Sequence, residues 1–154
     1  MDDEFVAKGI DEFNCQAYSI ANIYFERSKS NSLEYYYYYG LCNYYLKNYS
    51  KAVGCLYQLN YENSVKEVLI ESFLRLNNLD QIVKLYKLNN IDDYINGLTL
   101  LFRSVRCRIF DMIIKLLKYG ADPYKICDNI FKTPINYAMI YNDFEMIETL
   151  VLKV

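Results

Sequence analysis

The sequence predicts an all-α protein, a helical-repeat solenoid of hairpins stacked side by side. Three observations predict it. Apolar residues recur at three- and four-residue spacing through most of the chain, the period of helices with one buried stripe. Strict apolar/polar alternation, which would mark half-buried strands, is poor. Self-similarity is present in both halves, and in the clearest case the pattern that begins at Thr99 restarts at Thr133.

Residues 1–32 read as an N-terminal helical segment. Between Asp11 and Arg27, Ala17, Ile20, Ala21 and Tyr24 fall at helical spacing, and Ser28 to Ser32 is a polar connector. Residues 33–90 read as helical hairpins. In LEYYYYYGLCNYYLKNYSKAVGCLYQL (33–59), Tyr36, Tyr39, Gly40, Tyr49, Ala52, Leu56 and Leu59 stand in hairpin register. Gly40 and Ala52 are small and are expected where the two antiparallel helices touch. Asn48-Tyr49-Ser50 supplies the turn, with Asn48 or Ser50 available to cap the second helix. This pattern resembles a tetratricopeptide repeat. Ile70, Phe73, Leu79, Ile82 and Tyr86 repeat the register one hairpin later. Ile70 and Ile82 take the small positions there, so this tetratricopeptide-like hairpin is expected to splay or shift.

Residues 91–98 are the expected junction, with Asn96-Gly97 as a turn signal. Residues 99–154 read as two units, each a short helix, a turn and a longer apolar helix, the last one truncated. Thr133 is suited to cap a helix whose first residue is Pro134, where a missing N–H costs nothing. Ala138 gives a small side chain for close helix approach, and Ile147, Leu150 and Val151 are expected on the inward stripe. Gly120 suits a left-handed helix stop. Thr133-Pro134-Ile135-Asn136-Tyr137-Ala138 and Leu116-Leu117-Lys118-Tyr119-Gly120-Ala121-Asp122 resemble the signature and helix-two ending of ankyrin repeats. Asn136 stands where that family has His, and Leu100 replaces the first Pro. Two such units bury little surface alone, so the N-terminal half is expected to cap the Thr99 side.

Composition narrows the function classes. Apolar residues make up 53% of the chain, which is globular composition. No apolar run reaches membrane-span length, and Met1-Asp2-Asp3-Glu4 carries the wrong charge for a signal peptide. Abundant Tyr, Asn, Ile and Lys, with no Trp or His, suggests an AT-rich genome. Five scattered cysteines without a CxxC pair fit free thiols in a reducing, cytoplasmic setting. With no His to act as base near neutral pH and no phosphate-cradling Gly loop, the expectation is no enzyme, no cofactor and no small-molecule substrate. Adjacent acids at Asp2-Asp3 and Asp92-Asp93 point apart on a helix and form no dyad.

Three sets of residues are candidate contacts. Tyr37, Tyr38, Leu41, Tyr44 and Tyr45 lie on the first hairpin helix, where the resemblance implies a groove; alternatively they pack against the helix of 11–27. Tyr124, Lys125, Asp128, Asn129, Phe131 and Lys132 lie on the finger between the ankyrin-like units, with Phe131 either tucked beneath it or an anchor for a partner. Charge is uneven: residues 1–40 hold seven acids and three bases, whereas 99–132 hold seven bases and three acids. Arg103, Arg106, Arg108, Lys125 and Lys132 therefore form a possible phosphate-facing set, unless they only balance the acidic N-terminal region.

The function expected is that of an adaptor or scaffold binding a protein partner through its repeat surfaces. The alternative is an accessory or dormancy factor docked on a large ribonucleoprotein assembly such as the ribosome, touching RNA through the basic ankyrin-like face. No membrane partner is expected in either case.

Overall fold

A computed structural model describes residues 2–127 and 132–152. Among these residues the secondary structure is ten α-helices and one 3-10 turn, with no strand. The chain divides into two compact units, residues 1–76 and 77–154.

The first unit contains α1 (Asp2–Asn14), α2 (Tyr18–Arg27), α3 (Leu33–Tyr45), α4 (Tyr49–Leu56) and α5 (Asn63–Arg75). Helix α1 packs on α2 and α3 on α4; α3 also meets α1, α2 and α5, and α5 packs on α4. Ser32 starts α3 by accepting the Tyr35 N–H at 3.1 Å. One part of the core gathers Val6, Ala21, Phe25, Tyr35 and Cys42, with Phe13, Tyr18, Tyr36, Tyr38 and Tyr39 packed against it. Leu56, Val65, Leu69, Ile70 and Phe73 are buried further along.

Glycine sets how closely the hairpin helices approach. A Cβ at Gly40 would lie 2.5 Å from Leu56 Cγ and 3.1 Å from Cys55 Cβ. The contact thus falls one helical turn beyond Ala52, the position expected opposite Gly40; Ala52 is fully buried nonetheless. Gly9 plays the same part in the preceding hairpin, its absent Cβ 2.7 Å from Phe25 Cε1. Gly9 and Phe25 stand the same distance apart in sequence as Gly40 and Leu56. The N-terminal segment thus repeats the glycine contact of the hairpin that follows it.

The second unit contains α6 (Leu79–Tyr86), α7 (Leu100–Arg106), α8 (Phe110–Lys118), α9 (Pro134–Ile140) and α10 (Phe144–Leu152). Helix α7 packs on α8 and α9 on α10, and the two hairpins meet through α7 with α9 and α8 with α10. Thr99 and Thr133 cap α7 and α9, their Oγ1 atoms accepting the N–H groups of Phe102 at 3.2 Å and Asn136 at 3.1 Å. Pro134 occupies the first turn of α9. Gly120, at φ +87°, ends α8 in the left-handed region, and the Ala121 N–H reaches back to Leu116 O. Leu100, Leu101, Phe102, Met112, Ile113, Leu116, Ala138, Met146 and Leu150 form the core. Val151, expected on the inward stripe, is 46% exposed, because Met146 and Leu150 carry the buried face of α10.

One turn recurs along the chain. Gln16, Lys47, Asn77, Arg108 and Asn142 all have positive φ, each stands between two successive helices, and they follow one another at near-regular intervals. In four of the five, the next residue's N–H bonds back five positions: Ala17 to Glu12, Asn48 to Asn43, Ile109 to Ser104 and Asp143 to Ala138. That bond satisfies a helix-end carbonyl and lets the chain reverse in a very short connection.

Candidate interaction surfaces

The tyrosines of α3 divide between packing and exposure. Tyr35 is the buried one, and its hydroxyl donates to Phe25 O at 3.5 Å. Burial, reinforced by nearby Tyr39, pushes its phenol up to about 12. Tyr38 meets the Phe13 ring edge-on at 5.4 Å, and Tyr45 stacks on Tyr18 at 4.5 Å. These two candidate contacts therefore pack against α1 and α2, although Tyr45 stays half exposed. The Tyr44 hydroxyl donates to Glu71 Oε2 at 2.5 Å, which ties α3 to α5. Tyr37, edge-on to Tyr38 at 5.2 Å, and Leu41 are half-buried. Three of the five candidate contacts on this helix, Tyr38, Tyr44 and Tyr45, are thus engaged by the unit's own side chains.

The finger is built differently. Asn96 and Gly97 both have positive φ, and Ile95 and Leu98 bridge across them, making a tight two-residue turn. From this segment the Tyr94 hydroxyl donates to Ile126 O at 2.6 Å, and the ring carries Lys125 Nζ 5.3 Å from its centroid. Asp92 accepts the Asp122 N–H at 3.0 Å, and Asp122 accepts the Tyr124 N–H at 2.8 Å. Across the base of the finger, the Cys127 N–H bonds Lys132 O at 2.5 Å. Carboxylates and carbonyls thus set the backbone here, and large apolar side chains are left outward. Tyr94, Tyr119, Tyr124 and Ile126 are 49%, 63%, 59% and 65% exposed. Of the finger residues expected as contacts, Tyr124, Lys125 and Lys132 lie here; Asp128, Asn129 and Phe131 lie outside the described residues. Tyr94 and Ile126 are additions, and an aromatic residue two before an Asn-Gly turn is the signal that marks Tyr94.

The basic set does not form one face. Arg103 is only 3% exposed, and its guanidinium donates to Ile95 O at 2.5 Å; it holds the turn in place and does not point outward. Arg108 bonds Asp143 and lies 3.4 Å from Glu145, bracing the turn before α8 against the start of α10. Arg106 and Lys132 are exposed.

The five cysteines are free thiols, with Cys42 and Cys55 buried and Cys15 exposed. Among the described residues no group of three His, Cys, Asp or Glu side chains is placed to hold a metal ion. No described helix is long and apolar enough to cross a membrane. The chain matches no protein-family model, no curated protein and no solved structure.

Proposed function

We propose that this protein is a non-enzymatic interaction scaffold, a run of helical hairpins that binds a protein partner through its second unit. The observation that carries this reading is the finger cluster of Tyr94, Tyr124 and Ile126. These side chains stand exposed on backbone pinned by Asp92, Asp122 and the Tyr94 hydroxyl. Rigid aromatic side chains on a fixed loop lose little entropy on binding, as anchors of protein interfaces do. The solenoid character rests on the positive-φ turn that recurs at near-regular intervals from Gln16 to Asn142. The ankyrin-like register is supported further back by Ile82-Val83-Lys84-Leu85-Tyr86-Lys87, which matches Ile113-Ile114-Lys115-Leu116-Leu117-Lys118 one hairpin later.

A ribonucleoprotein partner draws on less. With Arg103 buried and Arg108 held by two carboxylates, a phosphate-binding face rests on Arg106, Lys125 and Lys132. Affinity capture from cytosolic extract, comparing wild type with the exposed-residue variant Tyr124→Ser/Ile126→Ser, tests the proposal. A partner lost only in the variant and retained after nuclease treatment supports it. A captured set unchanged by the variant but abolished by nuclease or high salt overturns it in favour of RNA.

A further inference from the structure

Helix α1 turns two kinds of side chain towards one groove. Val6 and Ile10, one helical turn apart, are buried and half-buried; beside them Asp3, Ala7 and Asp11, at the same spacing, are exposed. These five side chains and Glu34, from the start of α3, line a groove of about 390 Å³. Its floor is apolar and its rim carries three carboxylates.

Other acids of the first unit have cations: Glu4 holds Lys8 at 2.8 Å, Glu26 holds Lys51 at 3.1 Å and Glu71 holds Arg75 at 3.4 Å. The side chains of Asp3, Asp11 and Glu34 make no hydrogen bond or ion pair with any described residue. The three bases of residues 1–40, Lys8, Arg27 and Lys29, do not line the groove. Like charges left without a counter-charge repel, and a bound cation relieves them. The carboxylates are not gathered closely enough to hold a metal ion. An apolar floor beneath a charged rim instead suits a cationic side chain, whose aliphatic stem lies on the floor while its head meets the rim. Arginine fits best, because its planar fork of donors matches a carboxylate.

We propose that this groove binds an extended basic segment of a protein partner, with the pattern Arg-x-apolar-x-Arg. The spacing follows from the two backbones. Asp3 and Asp11 stand about 12 Å apart along the helix axis. In an extended chain, every second side chain points to the same side, and the first and fifth residues lie about 13 Å apart. One arginine then meets Asp3 and the other Asp11, while the apolar residue between them rests on Val6 and Ile10. Glu34 adds a carboxylate from the α3 wall. The same charge repels nucleic acid phosphates, so the partner surface read here is protein. The groove belongs to the first unit, and the inference is independent of what the finger binds.

Isothermal titration calorimetry of the full chain with the peptide acetyl-Gly-Arg-Ser-Leu-Ser-Arg-Gly-amide tests this. Binding with a Kd of about 10–300 µM is expected for so short and flexible a ligand. Asp11→Asn/Glu34→Gln is expected to weaken it at least about tenfold. Glu4→Gln, whose carboxylate lies outside the groove and is held by Lys8, is expected to change it less than about twofold. Both positions of the double variant are exposed, so helical circular dichroism is expected to be unchanged. If the double variant loses helicity, Ala7→Arg, which puts the chain's own cation into the groove from an exposed site, is expected to weaken binding in the same direction. A wild-type chain that does not bind the peptide up to about 2 mM overturns the proposal. Equal losses in Glu4→Gln and the groove variant also overturn it, because they mark diffuse charge attraction. So does undiminished binding of a peptide with Ser in place of Leu, or with the two arginines moved two residues closer.

Discussion

Gly40→Ala adds one methyl group where two helices already touch. Its carbon would lie 2.5 Å from Leu56 Cγ, 2.7 Å from Leu56 Cδ2 and 3.1 Å from Cys55 Cβ. Apolar carbons prefer about 3.5–4.0 Å, so α3 and α4 must separate locally by roughly 1 Å or Leu56 must leave its rotamer. Leu56 is fully buried. Overpacking of this kind costs about 1–3 kcal/mol, while replacing Gly by Ala inside a helix returns about 0.5–1 kcal/mol. The net expectation is destabilisation by about 1–2 kcal/mol. Gly54→Ala is the internal control: it lies inside α4, and a Cβ there meets nothing within 4 Å. Only the propensity gain applies, so it is expected to stabilise by about 0.5–1 kcal/mol. Urea unfolding followed by circular dichroism measures both. In a Leu56→Ala background the Gly40→Ala penalty is expected to shrink, because the two nearest atoms it strikes are gone and only Cys55 Cβ at 3.1 Å remains; a cycle showing coupling above about 0.5 kcal/mol registers this. If Gly40→Ala proves as stable as Gly54→Ala, the close approach of α3 to α4 is wrong.

Four further outcomes follow from the packing and the hydrogen bonds. Ala52→Leu and Ala138→Leu, at 0% and 1% exposure, are each expected to lower stability by about 1–3 kcal/mol in thermal or urea melts. Arg103→Ala leaves the Ile95 carbonyl without its guanidinium donor and is expected to cost about 1–3 kcal/mol, whereas exposed Arg106→Ala stays within about 0.5 kcal/mol. Equal effects in urea melts would return Arg103 to the surface. Thr133→Ala removes the cap of α9 and is expected to cost about 1 kcal/mol, with Thr133→Ser largely restoring it. Burial pushes the Cys42 thiol from 9.0 up to about 11 and, with Tyr39 nearby, the Tyr35 phenol from 10.0 to about 12. Above pH 9 the unfolded chain therefore sheds protons that the folded chain retains, and stability falls as pH rises through these folded values. Urea midpoints that stay flat over about pH 8 to 11 would contradict this linkage.

The local chemistry was legible in the residues themselves. Thr133 before Pro134 marks a helix start because one hydroxyl and one missing N–H together answer the orphan donors of the first turn. Asn96-Gly97 marks a tight turn because both residues tolerate positive φ. Gly120 marks a helix stop for the same reason. The reversal at Gln16, which divides the helix expected over 11–27 into α1 and α2, was hidden, and the turns at Lys47, Arg108 and Asn142 were legible without their left-handed residue, because none of the four carries a glycine signal. They are held in the left-handed region by tertiary packing and the back-bond to the preceding helix, which outweigh a local preference on the order of 1–2 kcal/mol.

Residue type alone also left open which side of each helix faces a neighbour. A run of tyrosines at 35–39 fits several registers, and only the arrival of Phe13, Tyr18 and Phe25 decides that Tyr35 is buried and Tyr45 half exposed. Arginine codes for charge in a sequence, yet Arg103 is buried because the Ile95 carbonyl stands within its reach. Leu117 and Val151 stand 34 residues apart, the spacing of Thr99 and Thr133, and one is covered while the other is exposed, because α7/α8 has α9 and α10 packed against it. Helices, caps and the turns at Asn96-Gly97 and Gly120 are set within a few residues of chain, and those the sequence determined. Burial, pairing and exposure depend on residues tens of positions away, and those only the tertiary structure decided.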